Sequence, residues 1–161
     1  MDACHRLASK GRFYDQSVRV PLLMKYKGRI IPGVVDQRLA SSGLDILPTL
    51  CGYAGMDVPE SLLGKSLRPI AEGNTVADWR EYVVTENHTG RMLRSEQFKY
   101  CVYRDGGVRE SLVDMRNDPG EMQNLVASPE FKTILSRHQH YLQKWVRVSN
   151  DVDAESFAVR P

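Results

Sequence analysis

The chain has 161 residues, of which 42% are hydrophobic and 26% are charged, as in one ordinary folded domain or part of a larger one. The formal net charge of +2, with basic and acidic residues interspersed, argues against a nucleic-acid-binding protein. No apolar run approaches the roughly 20 residues of a membrane helix, and the first residues form no apolar signal segment. We therefore expect no nucleic-acid partner and no membrane partner, and the compartment stays unknown.

Candidate metal ligands are sparse. The cysteines Cys4, Cys51 and Cys101 are far apart and show none of the paired spacings of a zinc site. His138 and His140 fall on different faces of a predicted helix, which is typical of ordinary packed or surface histidines. We expect thiols that pack as small apolar groups, and no metal site in this chain.

The first 73 residues predict two extended segments and a helix. Val18 to Tyr26 predicts a strand, and Val34 to Leu39 predicts a short extended return. A helix is predicted from near Asp45, because Pro48 is tolerated in a first helical turn, and Gly55 is a typical C-terminal stop. A loop-rich connection with one helical turn follows, up to residue 73.

The polar stretch 74–78 separates this part from a region of short β runs. The predicted runs are Glu81 to Glu86, Met92 to Ser95, Phe98 to Arg104 and Glu110 to Met115. Asp105-Gly106-Gly107 provides a turn between the last two runs, so the pattern predicts a hairpin-rich antiparallel sheet. Asn117 to Gly120 predicts a further turn, which we interpret as a structural corner and not as a catalytic motif.

The last predicted element is an amphipathic helix that packs on the sheet. Ser128 as N-cap and Pro129 at the first helical position open it. Its apolar stripe is Phe131, Ile134, Leu135, His138, Leu142, Trp145 and Val146. Ser149 to Pro161 lacks periodicity and predicts a poorly ordered tail. The predicted division is therefore 1–73, 79–148 and a tail at 149–161.

The first stretch of the chain carries the clearest candidate chemistry. His5 and Lys10 could both donate to one anion if the backbone between them forms a tight loop, as in an oxyanion site at a strand end. The same residues would suit an ordinary basic surface loop. The local pattern leaves both interpretations open.

Four segments in a fixed order point to a family. They are His5 to Pro21, Leu44 to Gly55, Gly64 to Leu67, and Arg94 to Tyr100 followed by Leu112 to Leu125. The second reads Asp-(apolar)-x-Pro-Thr and ends in Ala-Gly, and the last ends in Asp-Pro-x-Glu-x-x-Asn-Leu. Taken together, this order resembles the C-terminal part of the type I sulfatases, members of the alkaline-phosphatase-like superfamily.

The resemblance implies a fold. It would be an α/β fold, or α+β if the chain is taken as a fragment. Residues 1–73 would be the C-terminal end of the sulfatase catalytic sheet domain, and 79–148 a small antiparallel sheet packed on a terminal helix. The Asp-Pro-x-Glu signature would then serve the fold and not the reaction.

The resemblance also implies roles for residues. His5 and Lys10 match the pair that binds the sulfate and assists the leaving group in sulfatases. The family nucleophile is a formylglycine made from a Cys/Ser-x-Pro-x-Arg motif, and a calcium or magnesium ion polarises the sulfate. Neither the nucleophile motif nor the metal motifs occur in this chain; the second metal motif would lie just upstream of Met1, with Asp2 at best its trailing edge. We therefore expect no cofactor in this chain and no turnover by it alone.

The resemblance further implies that the parent protein hydrolyses sulfate esters, with a sulfated sugar or other sulfated small molecule as its partner. Family members are usually exported or lysosomal. A loop with a substrate-lining histidine often occurs between two strands of the terminal sheet in the family, and His88 and Arg91 match it. An ordinary solvated loop is the competing interpretation for both residues.

Two other functions remain open. The first is a related phosphonate or phosphodiester hydrolase of the same superfamily. The second is a stand-alone, non-catalytic interaction module, whose basic rim of Lys25, Lys27, Arg29 and Arg38 would bind an acidic partner. A fragment would also leave apolar residues around Val18 to Leu23 uncovered, which predicts self-association or modest solubility.

Overall fold

The computed structural model describes residues 11–157, which form two compact units. The first unit combines the described residues up to Arg19 with the chain from Tyr82 onward, and the second is Val20–Glu81. The chain thus leaves the first unit after a short segment and returns to it at Tyr82. Within the described residues, no helix combines the length and the apolarity that crossing a membrane requires.

The first unit is built on a four-stranded antiparallel sheet. Its strands are β1 (Tyr82–Asn87), β2 (Gly90–Ser95), β3 (Phe98–Tyr103) and β4 (Glu110–Asp114), in the order β1-β2-β3-β4. Each strand pairs with its sequence neighbour through a hairpin, and the β1–β2 hairpin has only His88 and Thr89 between its strands. The predicted antiparallel sheet is confirmed.

Helices complete the fold. In chain order they are α1 (Asp15–Val18), α2 (Ser42–Ala54), α3 (Arg68–Ala71), α4 (Lys132–Ser149) and α5 (Val152–Glu155). A 3-10 turn, Pro129–Phe131, precedes α4 at the predicted start. With its sheet and its terminal helix, the chain has the predicted α/β character, α+β within the first unit.

The two faces of the sheet are covered differently. One face packs against α4, whose predicted stripe supplies Leu142 and Val146 to the same core as Leu93, Tyr100 and Leu112. The other face carries a smaller apolar cluster. It consists of Phe13, Met92 and Cys101, with Val18 and Tyr103 packed against them. The segment after Lys10 in the sequence therefore lies on the sheet face opposite α4.

Residues 149–157 are ordered, so the poorly ordered tail expected from Ser149 is wrong for these residues. Asn150 ends α4 in a left-handed conformation with φ 54°. The side chain of Asp151 then caps α5, accepting a hydrogen bond from the amide of Ala154. Ala154 and Phe157 are buried in the main core. This segment is ordered by contacts with residues far away in the sequence. Such contacts produce no periodic pattern in the segment itself, so the sequence alone does not indicate them.

The second unit contains α2 and α3. The helix α2 begins at Ser42, earlier than the predicted start near Asp45, and it ends as expected before Gly55. Pro48 therefore lies inside the helix and leaves the carbonyl of Leu44 without its usual amide donor. Gly64 packs on that carbonyl, since a Cβ there would lie 1.9 Å from Leu44 O. A glycine at position 64 is a requirement of this close approach.

The Asp and Thr of the α2 motif are structural. Asp45 is fully buried and binds Arg80 through both carboxylate oxygens, at 2.6 and 2.8 Å. It also accepts the amides of Ser41 and Lys65. Thr49 donates to the carbonyl of Asp45 and accepts the amide of Leu67. These contacts fix the connection 64–67 on the helix.

The strand predicted over Val18 to Tyr26 is wrong. The helix α1 ends at Val18, and the described chain between Arg19 and Ser41 pairs with no strand. Val34 to Leu39 likewise forms no strand. Extended apolar runs become strands only where a neighbouring strand satisfies their backbone groups, and the only sheet in the described residues lies in the other unit.

Candidate functional site

His5 and Lys10, the predicted sulfate-binding pair, lie outside the described residues. The chain that follows them is well anchored. Phe13 is buried among Met92 and Cys101, and its ring stacks on that of Tyr103 at a centroid distance of 5.7 Å. The guanidinium of Arg12 lies 4.9 Å from the same tyrosine ring. Residues 12 and 13 are therefore held on the sheet face opposite α4.

A buried ion cluster anchors the same segment. Lys99, which is 1% exposed, donates from Nζ to the carbonyl of Phe13 at 3.1 Å and to Glu121 Oε2 at 2.8 Å. It also forms an ion pair with Asp15. Glu121 Oε1 in turn accepts the amide of Asp15 at 2.6 Å. One lysine thus ties the N-terminal segment to β3 and to the corner after β4.

The sequence presents Lys99 and Glu121 only as parts of two family-like segments, and no local pattern identifies them as partners of the N-terminal stretch. One signal that Lys99 and Glu121 contact the N-terminal stretch is the family resemblance itself. The N-terminal stretch and the two segments that hold Lys99 and Glu121 all belong to it, so their residues could lie together in the fold. A lysine in a strand that otherwise carries apolar residues is a second signal.

The β1–β2 turn carries His88 at its tip. Asn87 Oδ1 accepts hydrogen bonds from the amide of Thr89 at 2.8 Å, from its hydroxyl at 2.7 Å and from the amide of Gly90 at 3.1 Å. The side chain of His88 is exposed. A Cβ on Gly90 would lie 2.2 Å from Val102 O, so this position requires glycine. The turn is therefore closed by hydrogen bonds, and its one imidazole is exposed to solvent.

This turn contacts the residue that follows Lys10 in the sequence. Gly11 O lies 3.5 Å from Asn87 Nδ2 and from Thr89 Oγ1, and the Asn87 amide is the donor of this long contact because the Thr89 hydroxyl already donates to Asn87 Oδ1. Gly11, the residue after the His5–Lys10 stretch, thereby contacts the His88 loop, and one family resemblance indicates both regions. The candidate site is this junction between Gly11 and the β1–β2 turn.

Arg91 lies behind the turn and is 5% exposed. Its guanidinium binds the carboxylate of Asp151 through Nε at 2.5 Å and Nη2 at 2.8 Å. The hydrogen bond to Asp151 is the main reason that the pKa of Arg91 is raised, and the same bond lowers the pKa of Asp151. Substrate contact by Arg91 stays a prediction, and it would require the guanidinium to exchange Asp151 for the substrate.

The described part of the chain shows neither a cluster of metal ligands nor a reactive thiol. No cluster of three His, Cys, Asp or Glu residues within 11–157 could hold a metal ion. Cys51 and Cys101 are free and buried. Burial raises the pKa of the Cys101 thiol to about 12, so this cysteine is protonated at neutral pH.

Comparison with known proteins decides the family. The family model for the C-terminal region of N-sulphoglucosamine sulphohydrolase matches residues 4–147. The chain belongs to this sulfatase family. The matched range includes all four residues predicted for the site, whereas Asp151 and the rest of the C-terminal segment lie beyond it.

Individual relatives agree with this family. A delta 4,5-hexuronate-2-O-sulfatase from Bacteroides thetaiotaomicron is 37% identical over 164 residues, which cover 92% of this chain and 33% of that protein. The solved structure of a 2-O GAG sulfatase is 40% identical with a TM-score of 0.63, covering 67% of this chain and 25% of that one. A structure in complex with its substrate D-glucosamine-2-N,6-O-disulfate is 26% identical with a TM-score of 0.61, covering 68% and 24%.

The chain spans about a third of the length of the curated relatives that it matches. It is therefore similar to the C-terminal part of these sulfatases, as the ordered motifs predict. The fold of the alkaline-phosphatase-like sulfatases is confirmed for this part.

Proposed function

We propose that this chain forms the C-terminal part of a sulfatase that hydrolyses sulfate esters of a sugar. The observation that carries the proposal is the family match over residues 4–147, which includes the His5 and Lys10 positions. The sugar as substrate class is supported by the relative named as a hexuronate sulfatase and by the neighbour that binds a disulfated glucosamine.

His5 and Lys10 bind the sulfate group and assist departure of the sugar oxygen. A lysine ammonium is a strong donor to sulfate oxygens, and an imidazole near neutral pH can deliver a proton to a leaving oxygen. The anchoring of Phe13 and Asp15 by Lys99 supports this assignment, because it fixes the chain that begins three residues after Lys10.

His88 contacts the sugar from the β1–β2 turn. Its side chain is exposed, and its turn contacts Gly11, the residue after Lys10. An imidazole at this position can donate to or accept from sugar hydroxyl groups. Arg91 is a weaker candidate for the same contact, because Asp151 already occupies its guanidinium.

The nucleophile and the metal belong to another part of the protein. The family nucleophile is formylglycine, and a bound calcium or magnesium ion would polarise the sulfate oxygens. No ligand cluster for such an ion occurs within residues 11–157, so no step of the reaction is assigned to a metal held by them. The second unit supports a larger assembly, since it exposes apolar side chains such as Leu23 (92%) and Val35 (87%). By itself, this chain is not expected to turn over substrate.

The test begins with the full reading frame that contains this chain. We expect it to encode Cys/Ser-x-Pro-x-Arg and an Asp-Asn-Gly or Asp-His-Gly upstream of Met1. In the full-length protein, His5→Ala and Lys10→Ala should each lower kcat/KM for a sulfated disaccharide by about 100-fold or more. Lys27→Ala, which removes an exposed lysine of the second unit, should leave kcat/KM unchanged.

Two results would contradict the proposal. Faster hydrolysis of an aryl phosphonate monoester than of any sulfate ester would favour the phosphonate hydrolase. A reading frame that lacks the nucleophile motif, together with binding of acidic partners that Arg29→Ala weakens, would favour the interaction module.

A further inference from the structure

We propose that Arg91 is a positioning residue, through which the C-terminal segment 151–157 holds the His88 turn in its substrate-binding geometry. The proposal rests on the sugar contact assigned to His88 above. It gives Arg91 a role other than substrate binding, and it makes Asp151 the residue on which that role depends.

All five N–H donors of Arg91 have partners within the protein. Nε and one Nη2 hydrogen bind Asp151, and the other Nη2 hydrogen lies toward Asp153 Oδ2 at 3.4 Å. Nη1 donates to Asn87 O at 3.0 Å and to Gly90 O at 2.8 Å. An arginine has five donors in a fixed planar fork, so this set occupies all of them. A ligand could bind the guanidinium only by displacing one of these partners.

The Nη1 bonds fix the two ends of the His88 turn. Asn87 and Gly90 are the paired residues that close the hairpin, and Arg91 binds the carbonyl of each. The side chain of Asn87 meanwhile binds the amides of Thr89 and Gly90. Amide and carbonyl groups of the turn thus both form hydrogen bonds within the protein. The side chain of His88 is exposed to solvent.

Asp151 is itself fixed by the C-terminal segment. Its Oδ1 caps α5 at the amide of Ala154, at 3.1 Å, and Ala154 is fully buried. The buried ring of Phe157 lies 5.6 Å from the Arg91 guanidinium. The carboxylate is therefore presented to Arg91 by a packed element, which lowers the entropy cost of the ion pair.

A second carboxylate lies near Arg91 but holds it less closely. Glu86 Oε2 is 3.6 Å from Nε, beyond hydrogen-bond distance, and the Glu86 side chain is 66% exposed. Asp151, by contrast, is 8% exposed in its side chain and binds two guanidinium nitrogens. The buried, bidentate partner is therefore the one that sets the orientation of the guanidinium.

Arg104 provides a second connection to the same turn. Its backbone amide donates to Thr89 O at 2.9 Å, and its guanidinium forms an ion pair with Asp153. The same guanidinium lies 5.5 Å from the ring of Phe157. The segment after α4 thus reaches the turn through two arginines. Its contributing residues, Asp151, Asp153 and Phe157, all lie beyond residue 147, outside the family match.

The test uses the full-length protein with Asp151→Asn, which keeps the size of the side chain and removes its charge. We expect backbone amides of Thr89 and Gly90 to exchange with solvent at least about tenfold faster, because the turn opens more often. We expect KM for a sulfated disaccharide to rise at least about threefold with little change in kcat, as for loss of a contact made equally in ground and transition states.

Matched variants separate the proposed role from simple destabilisation. Glu155→Gln removes one carboxylate from the same short helix without touching Arg91, and it should leave exchange and KM unchanged. Asp151→Glu keeps the negative charge, so its amide exchange at Thr89 and Gly90 and its KM should lie between those of the wild type and Asp151→Asn. The amide of Tyr100 in β3, which pairs with Leu93 and not with Arg91, should exchange at the wild-type rate in every variant, which shows that the sheet is intact.

A double-mutant cycle decides whether Arg91 acts through His88. If it does, Asp151→Asn should have no further effect on KM once His88→Ala is present. Additive effects would mean that Arg91 binds substrate directly, and unchanged exchange at Thr89 and Gly90 would mean that Asp151 does not hold the turn. Either result overturns the inference. If His88→Ala alone leaves KM unchanged, the sugar contact fails instead, whatever the exchange data show.

Discussion

Lys99 and Glu121 meet in the interior of the first unit, with Nζ 2.8 Å from Oε2 and both side chains at most 3% exposed. Glu121 adopts a left-handed backbone conformation with φ 56°, which is uncommon for a residue with a side chain. The corner after β4 thereby directs a carboxylate inward, where it also binds the amide of Asp15. The pair is the connection between the sheet and the chain that follows the proposed sulfate-binding residues.

Replacing Lys99 with Met should destabilise the protein strongly. The change leaves the buried Glu121 carboxylate beside Asp15 without its direct ion-pair partner, and breaking a buried ion pair in this way costs about 3–5 kcal/mol. Urea unfolding monitored by circular dichroism measures the change in the free energy of unfolding. Glu96→Gln is the control, since that carboxylate is 90% exposed beside Arg116 and its loss should cost less than about 0.5 kcal/mol. Equal effects of the two substitutions would show that the buried cluster is not a stabilising anchor.

Two glycines of the second unit should respond to alanine in opposite directions. Gly64→Ala places a Cβ against the backbone of Leu44, at 1.9 Å from its carbonyl oxygen, and should destabilise by about 1–3 kcal/mol. Gly43→Ala, in the first turn of α2, meets no atom within 4 Å and should stabilise by up to about 1 kcal/mol. Thermal unfolding of both variants beside the wild type tests the pair. A neutral Gly64→Ala would contradict the close approach that accommodates Pro48.

The exposed apolar residues of the second unit predict self-association of this chain when it is prepared alone. Leu23 and Val35 are 92% and 87% exposed, and Val34 beside Val35 is also exposed. Sedimentation velocity over a concentration series should show oligomers that Leu23→Asp combined with Val35→Asp reduces. Met122→Asp is the matched control, because Met122 is 80% exposed but lies in the other unit. A monomer at all concentrations would count against the view that this surface packs on another part of the protein.

Much of the first unit follows from sequence patterns because its interactions are local. The hairpins β1–β2 and β3–β4 join neighbours in the chain, and the apolar stripe of α4 repeats at helical spacing. The four family-like segments identify the sulfatase family for the same reason, since each is a short contiguous motif.

Other features depend on partners far away in the sequence. Asp151 lies 60 positions from Arg91, and Arg80 lies 35 positions from Asp45. The Asp151–Arg91 pair holds the C-terminal segment, whose sequence has no helical or strand periodicity. The Arg80–Asp45 pair allows a carboxylate to be buried in α2. The predicted start of α2 is wrong because it assumes that Pro48 must lie in the first helical turn. That assumption considers an isolated helix and cannot include Gly64, which packs on the Leu44 carbonyl that Pro48 leaves without a donor. For the candidate site, the family resemblance indicates His88, whereas the partners of Arg91 are known only from the folded chain.

His138 should make the stability of the protein depend on pH below neutrality. It is fully buried, its Nδ1–H donates to Ile134 O at 2.7 Å, and Nε2 lies 2.9 Å from the hydroxyl of Ser95. Burial lowers the pKa of His138 below its usual value of 6.5, and the nearby Arg137 acts in the same direction. The neutral imidazole is therefore the form that the folded state favours.

The sign of the effect follows from proton uptake. The unfolded chain binds a proton at this histidine as pH falls through about 6.5, whereas the folded protein does so only at lower pH. The free energy of unfolding should therefore be highest above pH 6.5 and decrease between there and the lower pKa of the folded state. In His138→Gln this contribution should disappear, so its curve between about pH 7.5 and 5 should be flatter than that of the wild type. His140→Gln, which removes an exposed histidine from the same helix, should keep the wild-type slope in urea unfolding at each pH. A slope that persists in His138→Gln would assign the pH dependence to other groups.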